Sequence, residues 1–271
     1  MYLSTCKVIL IQVRIGKILT IGLLIPTKNE KQQYYDFVLD IVDRNVFDSL
    51  ILVDDSDDLK SKEIFLELKS TLEHKLGTSR ICTFIRQNPS DGIAGAYKIG
   101  YQCAVDLNLD FLVQMDGDGQ HSIVDLMRII ELLKIDKDFD VIYGSRWVKG
   151  GSTVNWSRSR KLLSILGNKF VKFKSGAKLD DASTGFRLFN LRKLERAWNL
   201  VFRLNVDGFS FHIITSIMYY ELGLKIIEVP IRFEARKEGL SKMTIKRARE
   251  SFDIVNNWNN KYRQDFLMFK D

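Results

Sequence analysis

The segment Asp116-Gly117-Asp118-Gly119-Gln120-His121 places two carboxylates at positions i and i+2 and an amide at i+4. Hard oxygen donors at that spacing suit a divalent cation such as Mg2+ or Mn2+. The apolar run Phe111–Met115 precedes them and reads as a buried strand. A buried strand that delivers carboxylates to its C-terminal end is how an α/β sheet places a cation at its ligand crevice. The plainer alternative is a polar turn capping a helix, with Ser122 or Asp118 as the cap. Two other motifs are excluded. An EF-hand loop starting at Asp116 would need glycine and glutamate where His121 and Met127 stand, and a dinucleotide fingerprint would need glycine at Ser122.

A second acidic cluster, Asp54-Asp55-Ser56-Asp57-Asp58, also ends an apolar run. Its carboxylates repel one another, so something must compensate. One use of Asp55 is to accept an N–H from a nucleotide base; a solvated acidic turn with a helix N-cap accounts for Ser56–Asp58. Charge of the opposite sign fills residues 146–178, with nine basic residues and no acidic one. Within it Leu162, Leu163, Leu166, Phe170 and Phe173 follow helical spacing. A helix with one basic and one apolar face suits an interface with anionic lipid. An ordinary core-packing helix with a charged exterior is the alternative. A nucleic-acid patch fits less well, because the aromatics form a stripe instead of interleaving with the basic groups. His74, His121 and His212 form no recognisable constellation, and neither a Ser-His-Asp arrangement nor a phosphate-binding P-loop is present.

These groups need a scaffold. Strands are expected at 18–25, 49–53, 81–85, 111–115 and 140–143, with amphipathic helices between them around 34–42, 64–76, 93–104 and 126–133. Alternating strands and helices imply βαβ units, a parallel sheet and C-terminal strand ends gathered on one side. Those ends carry 26–30, 54–58, 86–92, 116–120 and 144–146. Further on, Leu224–Phe233 reads as a strand with Pro230 marking an edge, and Val255, Trp258, Tyr262, Phe266 and Phe269 mark a C-terminal amphipathic helix. Residues 1–17 are either an extra edge strand or a loose tail.

At 271 residues, with 45% apolar and 28% charged residues, the composition is that of an ordinary soluble globular protein. A net charge of +7 points to an anionic partner. Cys6, Cys82 and Cys103 are scattered, which suits reduced thiols in the cytoplasm. No apolar run approaches the roughly 18–20 residues that span a bilayer.

Taken in order, the motifs resemble the inverting family-two glycosyltransferases of GT-A fold, most of all the dolichol-phosphate and polyprenol-phosphate mannosyltransferase group. Ile25-Pro26-Thr27-Lys28-Asn29-Glu30 resembles I-P-T-Y-N-E, with Lys28 in place of Tyr. Leu52–Asp58 resembles V-D-D-x-S-x-D, and Gly92-Ile-Ala94-Gly-Ala-Tyr97 is similar to G-L-G-x-A-Y, with Ala94 for the second Gly. The Asp116–His121 run, Gly144-Ser-Arg146-Trp147, Arg160-x-x-x-Ser164 and Asp181–Arg187 follow. Glu228-Val-Pro-Ile231 and Arg236-x-x-Gly239-x-Ser241-Lys242 complete the series, which covers about 18–245.

The resemblance implies a Rossmann-like, mostly parallel sheet flanked by helices, with C-terminal amphipathic helices. It divides the chain into an extension (1–17), a catalytic domain (18–245, nucleotide half 18–145 and acceptor half 146–245) and a terminal helix (246–271). It implies donor contacts from Pro26, Thr27, Glu30, Asp55, Gly92, Ala94, Asp116 and Asp118, and Mg2+ or Mn2+ on Asp116, Asp118 and Gln120. Arg146, Arg160 and Ser164 would hold the acceptor phosphate, and Asp118, Arg146, Arg236 and Lys242 would act in catalysis. The implied reaction moves a hexose from GDP-mannose or UDP-glucose to a polyprenyl phosphate. It implies peripheral contact with the cytoplasmic face of a membrane, or with a membrane partner protein, and no nucleic-acid partner. The alternatives are transfer to a saccharide acceptor, for which Asp181 is the candidate base, and a non-catalytic basic binding protein.

Overall fold

The computed structural model describes residues 19–258 apart from 88, 136–137, 204–205, 207, 209 and 236–244, together with residue 263. The expectations for residues 1–17, Arg236, Gly239, Lys242, Tyr262, Phe266 and Phe269 lie outside the described residues. The first half alternates as expected: β1 (Ile21–Thr27), α1 (Gln32–Asp43), β2 (Ser49–Asp54), α2 (Leu59–Leu76), β3 (Ile81–Ile85), α3 (Gly92–Asp106), β4 (Phe111–Gln114), α4 (Ile123–Ile135) and β5 (Val141–Ser145). Then come β6 (Ser152–Val154), α5 (Arg158–Ser175), β7 (Arg187–Asn190), α6 (Leu191–Arg203), α7 (Ser210–Glu221), β8 (Ile226–Pro230), β9 (Arg232–Glu234) and α8 (Ile245–Asn256).

Seven strands form the main sheet in the order β3-β2-β1-β4-β7-β5-β8. All run parallel except β7, which lies antiparallel between β4 and β5. One apolar layer packs α1, α2 and α4 on one face of the sheet through residues such as Val38, Phe65, Leu68, Leu126 and Ile129. The other face carries α3, α6 and α7 through Tyr97, Tyr101, Trp198, Phe211 and Tyr219. There Tyr101 and Trp198 stack with centroids 4.5 Å apart.

Two prolines mark how the sheet serves the site. Pro26 continues β1 instead of closing it, although β1 is a central strand. Pairing with β4 stops at Leu24↔Gln114, so the missing N–H of Pro26 interrupts no ladder on that side. Pro230 ends β8, an edge strand of the sheet, as its position suggested. The single strand expected over 224–233 is two: after Pro230 the chain leaves the main sheet, and Phe233 pairs with Thr153 in a separate β6–β9 ribbon. The C-terminal residues expected to form an amphipathic helix begin as α8, whose Phe252 stacks on Phe170 of α5 at 4.3 Å.

Candidate active site

The acidic turn follows β4 at the centre of the sheet. Gly117 is buried there, and a Cβ on it would come within 2.6 Å of the Tyr34 ring. Gly119 has φ +71°, a left-handed conformation that favours glycine. The turn therefore depends on both glycines for its shape. The Tyr97 hydroxyl donates to Asp116 Oδ1 at 2.8 Å, and His121 Nε2 lies 3.8 Å from Oδ2. Burial pushes the Asp116 carboxyl up, but His121, His212 and Tyr97 outweigh it and hold the group below the ordinary carboxylate range. Burial and the nearby Arg187 push His212 down to about 3, so its imidazole is neutral at physiological pH. Asp118 Oδ1 accepts the backbone N–H of Gln120 at 3.1 Å. Gln120 is buried and its Nε2 donates to the Glu234 carbonyl at 2.7 Å, which orients the side-chain amide.

This donor set fits a divalent cation. Among the described residues no group of three His, Cys, Asp or Glu side chains is arranged to hold a metal. Two carboxylates with one oriented amide oxygen form a partial set, leaving positions for diphosphate oxygens and water. The Cβ that any other residue would add at Gly185 would lie 3.2 Å from Asp116 Oδ2 and from His212 Nε2, so backbone closes over the carboxylate from the other side.

The ribbon fixes the turn from outside. Glu234 N–H donates to the Gln120 carbonyl at 3.0 Å, His121 bridges to Phe233, and the Arg232 N–H donates to Asp125 of α4 at 2.7 Å. The imidazole of His121 is enclosed by Phe186 and Phe233, with centroids at 5.0 and 4.8 Å.

On one side of the acidic turn, the loops after β1 and β2 clamp each other. Asn29 and Asp57 exchange two hydrogen bonds, at 2.6 and 2.9 Å, and Lys28 forms an exposed ion pair with Asp57 at 3.4 Å. Pro26 and Thr27 are buried at the end of β1, while Glu30 is half-buried. Within the acidic cluster the members divide their tasks. Asp54 accepts from the Ser56 hydroxyl at 2.6 Å, and Asp58 caps α2 by accepting from Ser61 N–H at 2.9 Å. Asp55 is buried beside Arg86, whose Nε is 3.2 Å away. Burial raises the Asp55 carboxyl to about 6, against the pull of Arg86 and Lys28.

Arg86 also binds Asp91 and the Gly92 carbonyl, so it joins the end of β3 to the start of α3. No side chain caps α3, whose first turn includes Gly92 and Ala94 and lies against the Asp91 carboxylate at Gly95. The Ala94 methyl itself is packed in the core. Arg86 was not singled out in the sequence, where the repulsion within 54–58 asked only for some compensating group.

On the other side of the acidic turn, Arg146 is 10% exposed and forks onto Asp181. Its Nε and Nη2 donate at 2.7 and 2.6 Å, and its backbone N–H adds a third bond at 3.0 Å. Asp181 is fully buried, with both oxygens engaged. Arg187 is wholly buried and donates to Thr215 and Ser216 hydroxyls and to the carbonyls of Thr184 and His212, so it ties the 181–186 loop to α7.

Helix α5 carries Arg160 and Ser164, both half-buried. Ser157 caps it, accepting from Arg160 N–H at 3.2 Å. Its first turn has no acidic residue but holds Arg158, Arg160 and Lys161, the reverse of what the helix dipole favours. The buried face is Asn168 and Val171; the apolar stripe points away, with Leu162, Leu163, Leu166 and Phe173 between 53% and 82% exposed. No described helix is long and apolar enough to cross a membrane.

Comparison with known proteins agrees with this arrangement. The Glycosyl transferase family 2 model matches residues 23–198. The chain is 34% identical over 174 residues to an undecaprenyl-phosphate mannosyltransferase of Micrococcus luteus, covering 64% of this chain and 70% of that protein. It is 31% identical over 174 residues to a polyprenol monophosphomannose synthase of Mycolicibacterium smegmatis, covering 64% of each. The chain thus spans less than two thirds of the second relative. Among solved structures, glucosyl-3-phosphoglycerate synthase from Mycobacterium tuberculosis, in complex with Mn2+ and UDP, superposes with a TM-score of 0.58. That match covers 88% of this chain and 77% of the other at 15% identity, which speaks for a shared GT-A fold. A mostly parallel sheet bearing its acidic turn at the central strand, and a family match over most of the chain, lead to one conclusion: this chain is a glycosyltransferase of Glycosyl transferase family 2.

Proposed function

We propose that this enzyme transfers a hexose from a nucleotide-diphosphate sugar to a polyprenyl phosphate, with inversion at the anomeric carbon. The observation that carries the reading is α5: the helix bearing Arg160 and Ser164 turns an exposed apolar stripe outward and crowds three cations into its first turn. An anionic headgroup on an apolar chain answers both features. The names of the two mannosyltransferase relatives point the same way.

In this reading Asp55 accepts from the base, while Pro26, Thr27 and Glu30 form the nucleotide side of the pocket. The backbone N–H groups at the start of α3, at Gly92 and Ala94, take the donor's phosphates. Asp116, Asp118 and the Gln120 amide oxygen would hold Mg2+ or Mn2+. Such a cation, when bound, neutralises charge on the diphosphate leaving group. Arg236 and Lys242 add positive charge to the same group.

Arg146, Arg160 and Ser164 hold the acceptor phosphate by charge-assisted hydrogen bonds. A phosphate oxygen is already anionic and needs no general base. The rival saccharide acceptor would need one, and its candidate, Asp181, has both oxygens committed to Arg146. The enzyme meets its lipid at a membrane surface through α5.

Labelled GDP-mannose or UDP-glucose incubated with polyprenyl phosphate and Mn2+ tests the reaction. A lipid-extractable labelled product is expected, reduced about a hundredfold or more in Asp118→Ala, since metal stabilisation of the leaving group is worth several kcal/mol. Absence of any lipid product with either donor rejects the reading.

The membrane contact is tested by cosedimentation with vesicles containing anionic lipid. The wild type is expected to pellet, and Leu163→Glu with Leu166→Glu to remain in the supernatant with unchanged nucleotide affinity. Equal pelleting of both contradicts the contact.

Asp55 gives a pH signature. Nucleotide binding needs its ionised form, so affinity is expected to fall as pH drops through about 6. Because burial raises its folded-state pKa above the usual value near 4, the free protein gains stability from Asp55 at low pH and loses it as pH rises through about 6. Asp55→Asn is expected to weaken nucleotide binding about tenfold or more. It is also expected to be more thermostable than wild type, by a margin that grows over that pH window. A constant margin between pH 4 and 7, in thermal melts without nucleotide, would remove the assignment.

A further inference from the structure

Between the acidic turn and α5 stands a group of rings, of which Trp156 and Phe233 belong to none of the motifs. Arg160 lies over the Trp156 ring with its Cζ 3.8 Å from the centroid. Arg146 Cζ lies 5.5 Å from the same ring, 5.4 Å from Phe233 and 5.8 Å from Trp147. Trp156 packs edge-on against Phe233 at 5.7 Å, and Phe233 packs against His121 at 4.8 Å. Two guanidinium groups from separate segments are thus gathered about one indole. Cations repel, and the fork onto Asp181 offsets the charge of Arg146. The negative π-face of an indole attracts a guanidinium and fixes its plane. The indole N–H groups of Trp147 and Trp156 are both buried without a hydrogen-bond partner, so neither ring is held here by a polar bond of its own.

We propose that Trp156 is a positioning residue for the acceptor: its ring face sets the Arg160 guanidinium beside Arg146, so that the two present a preformed fork to a phosphomonoester. This rests on the acceptor-phosphate role given to Arg146 and Arg160 above. The sequence places Trp156 to do so. It lies between β6, which pairs with β9 beside the acidic turn, and Ser157, which caps α5. One turn into the helix, Arg160 returns over the ring. The ribbon that orients Gln120 therefore also orients Arg160, and the distance between metal turn and acceptor phosphate is set by the Trp156–Phe233–His121 ring contacts.

The test is calorimetric binding of a short-chain polyprenyl phosphate, with inorganic phosphate in parallel, to protein holding Mn2+ and nucleoside diphosphate. Wild type, Trp156→Phe, Trp156→Leu, Arg160→Ala and the Trp156→Leu/Arg160→Ala pair are compared. Trp156→Leu keeps an apolar side chain but loses the π-face, and is expected to weaken binding of both phosphates about three- to thirtyfold. Trp156→Phe is expected to stay within about threefold of wild type. The pair is expected to bind no more weakly than Arg160→Ala alone, because the ring acts through that arginine. Nucleoside diphosphate affinity is expected to be the same in all five proteins.

Unchanged binding in Trp156→Leu, or losses that multiply in the pair, overturns the proposal while leaving the acceptor reading intact. Loss confined to the lipid, with inorganic phosphate unaffected, also overturns it, since the ring would then touch the isoprenoid chain instead of serving Arg160. Failure of the wild type to bind polyprenyl phosphate rejects the acceptor reading itself, and this proposal with it.

Discussion

Acidic groups collected at the C-terminal edge of one sheet cannot stay charged unless each is answered, and how each is answered divides the site. Asp55 is met by Arg86 and Asp181 by Arg146, so each of those two carboxylates has a cationic partner within the protein. Asp116 is met by the phenol of Tyr97 at 2.8 Å and by the imidazole of His121 at 3.8 Å, with no Lys or Arg ion pair to it among the described residues. In the proposed reading, a carboxylate held in that way takes a cation from solution. The glycine-dependent turn, the closure of Gly185 over the carboxylate and the tether from Gln120 to Glu234 all serve that one group.

The ribbon of β6 and β9 carries this constraint to the acceptor side. One strand holds the acidic turn; the other leads through Trp156 and Ser157 into α5. The main sheet positions the loops after β1 to β5, and this small parallel pair positions the start of α5 against the acidic turn. In sequence, β9 ends at Glu234, two residues before Arg236.

Much of this was legible in the sequence because it rests on local patterns. Strands β1 to β5 and the helices between them follow apolar periodicity, and the acidic turns at 54–58 and 116–118 stand at the ends of two of those strands. Helix α5 was legible as basic and amphipathic, although which face it buries was not: the stripe of leucines is outside and Asn168 and Val171 are inside. What stayed hidden depends on distant partners. Strand β7 has only four residues, and its Arg187 reads as polar while being wholly buried by bonds to α7. The split at Pro230 requires knowing that Phe233 pairs with Thr153, some 80 residues away. Arg86 and Trp156 lack motif spacing altogether; the first was signalled by unbalanced charge, the second only by the rings it meets in space.

The claim on which the rest depends is that Asp116, Asp118 and Gln120 form a cation site completed by a diphosphate. Titration of Mn2+ followed by electron paramagnetic resonance tests it without relying on turnover. The account predicts one bound Mn2+ per chain, with affinity raised when GDP or UDP is present. It predicts that Asp118→Ala abolishes that site and that Gln120→Ala weakens it. Retention of full-affinity, nucleotide-coupled Mn2+ binding in Asp118→Ala would contradict it.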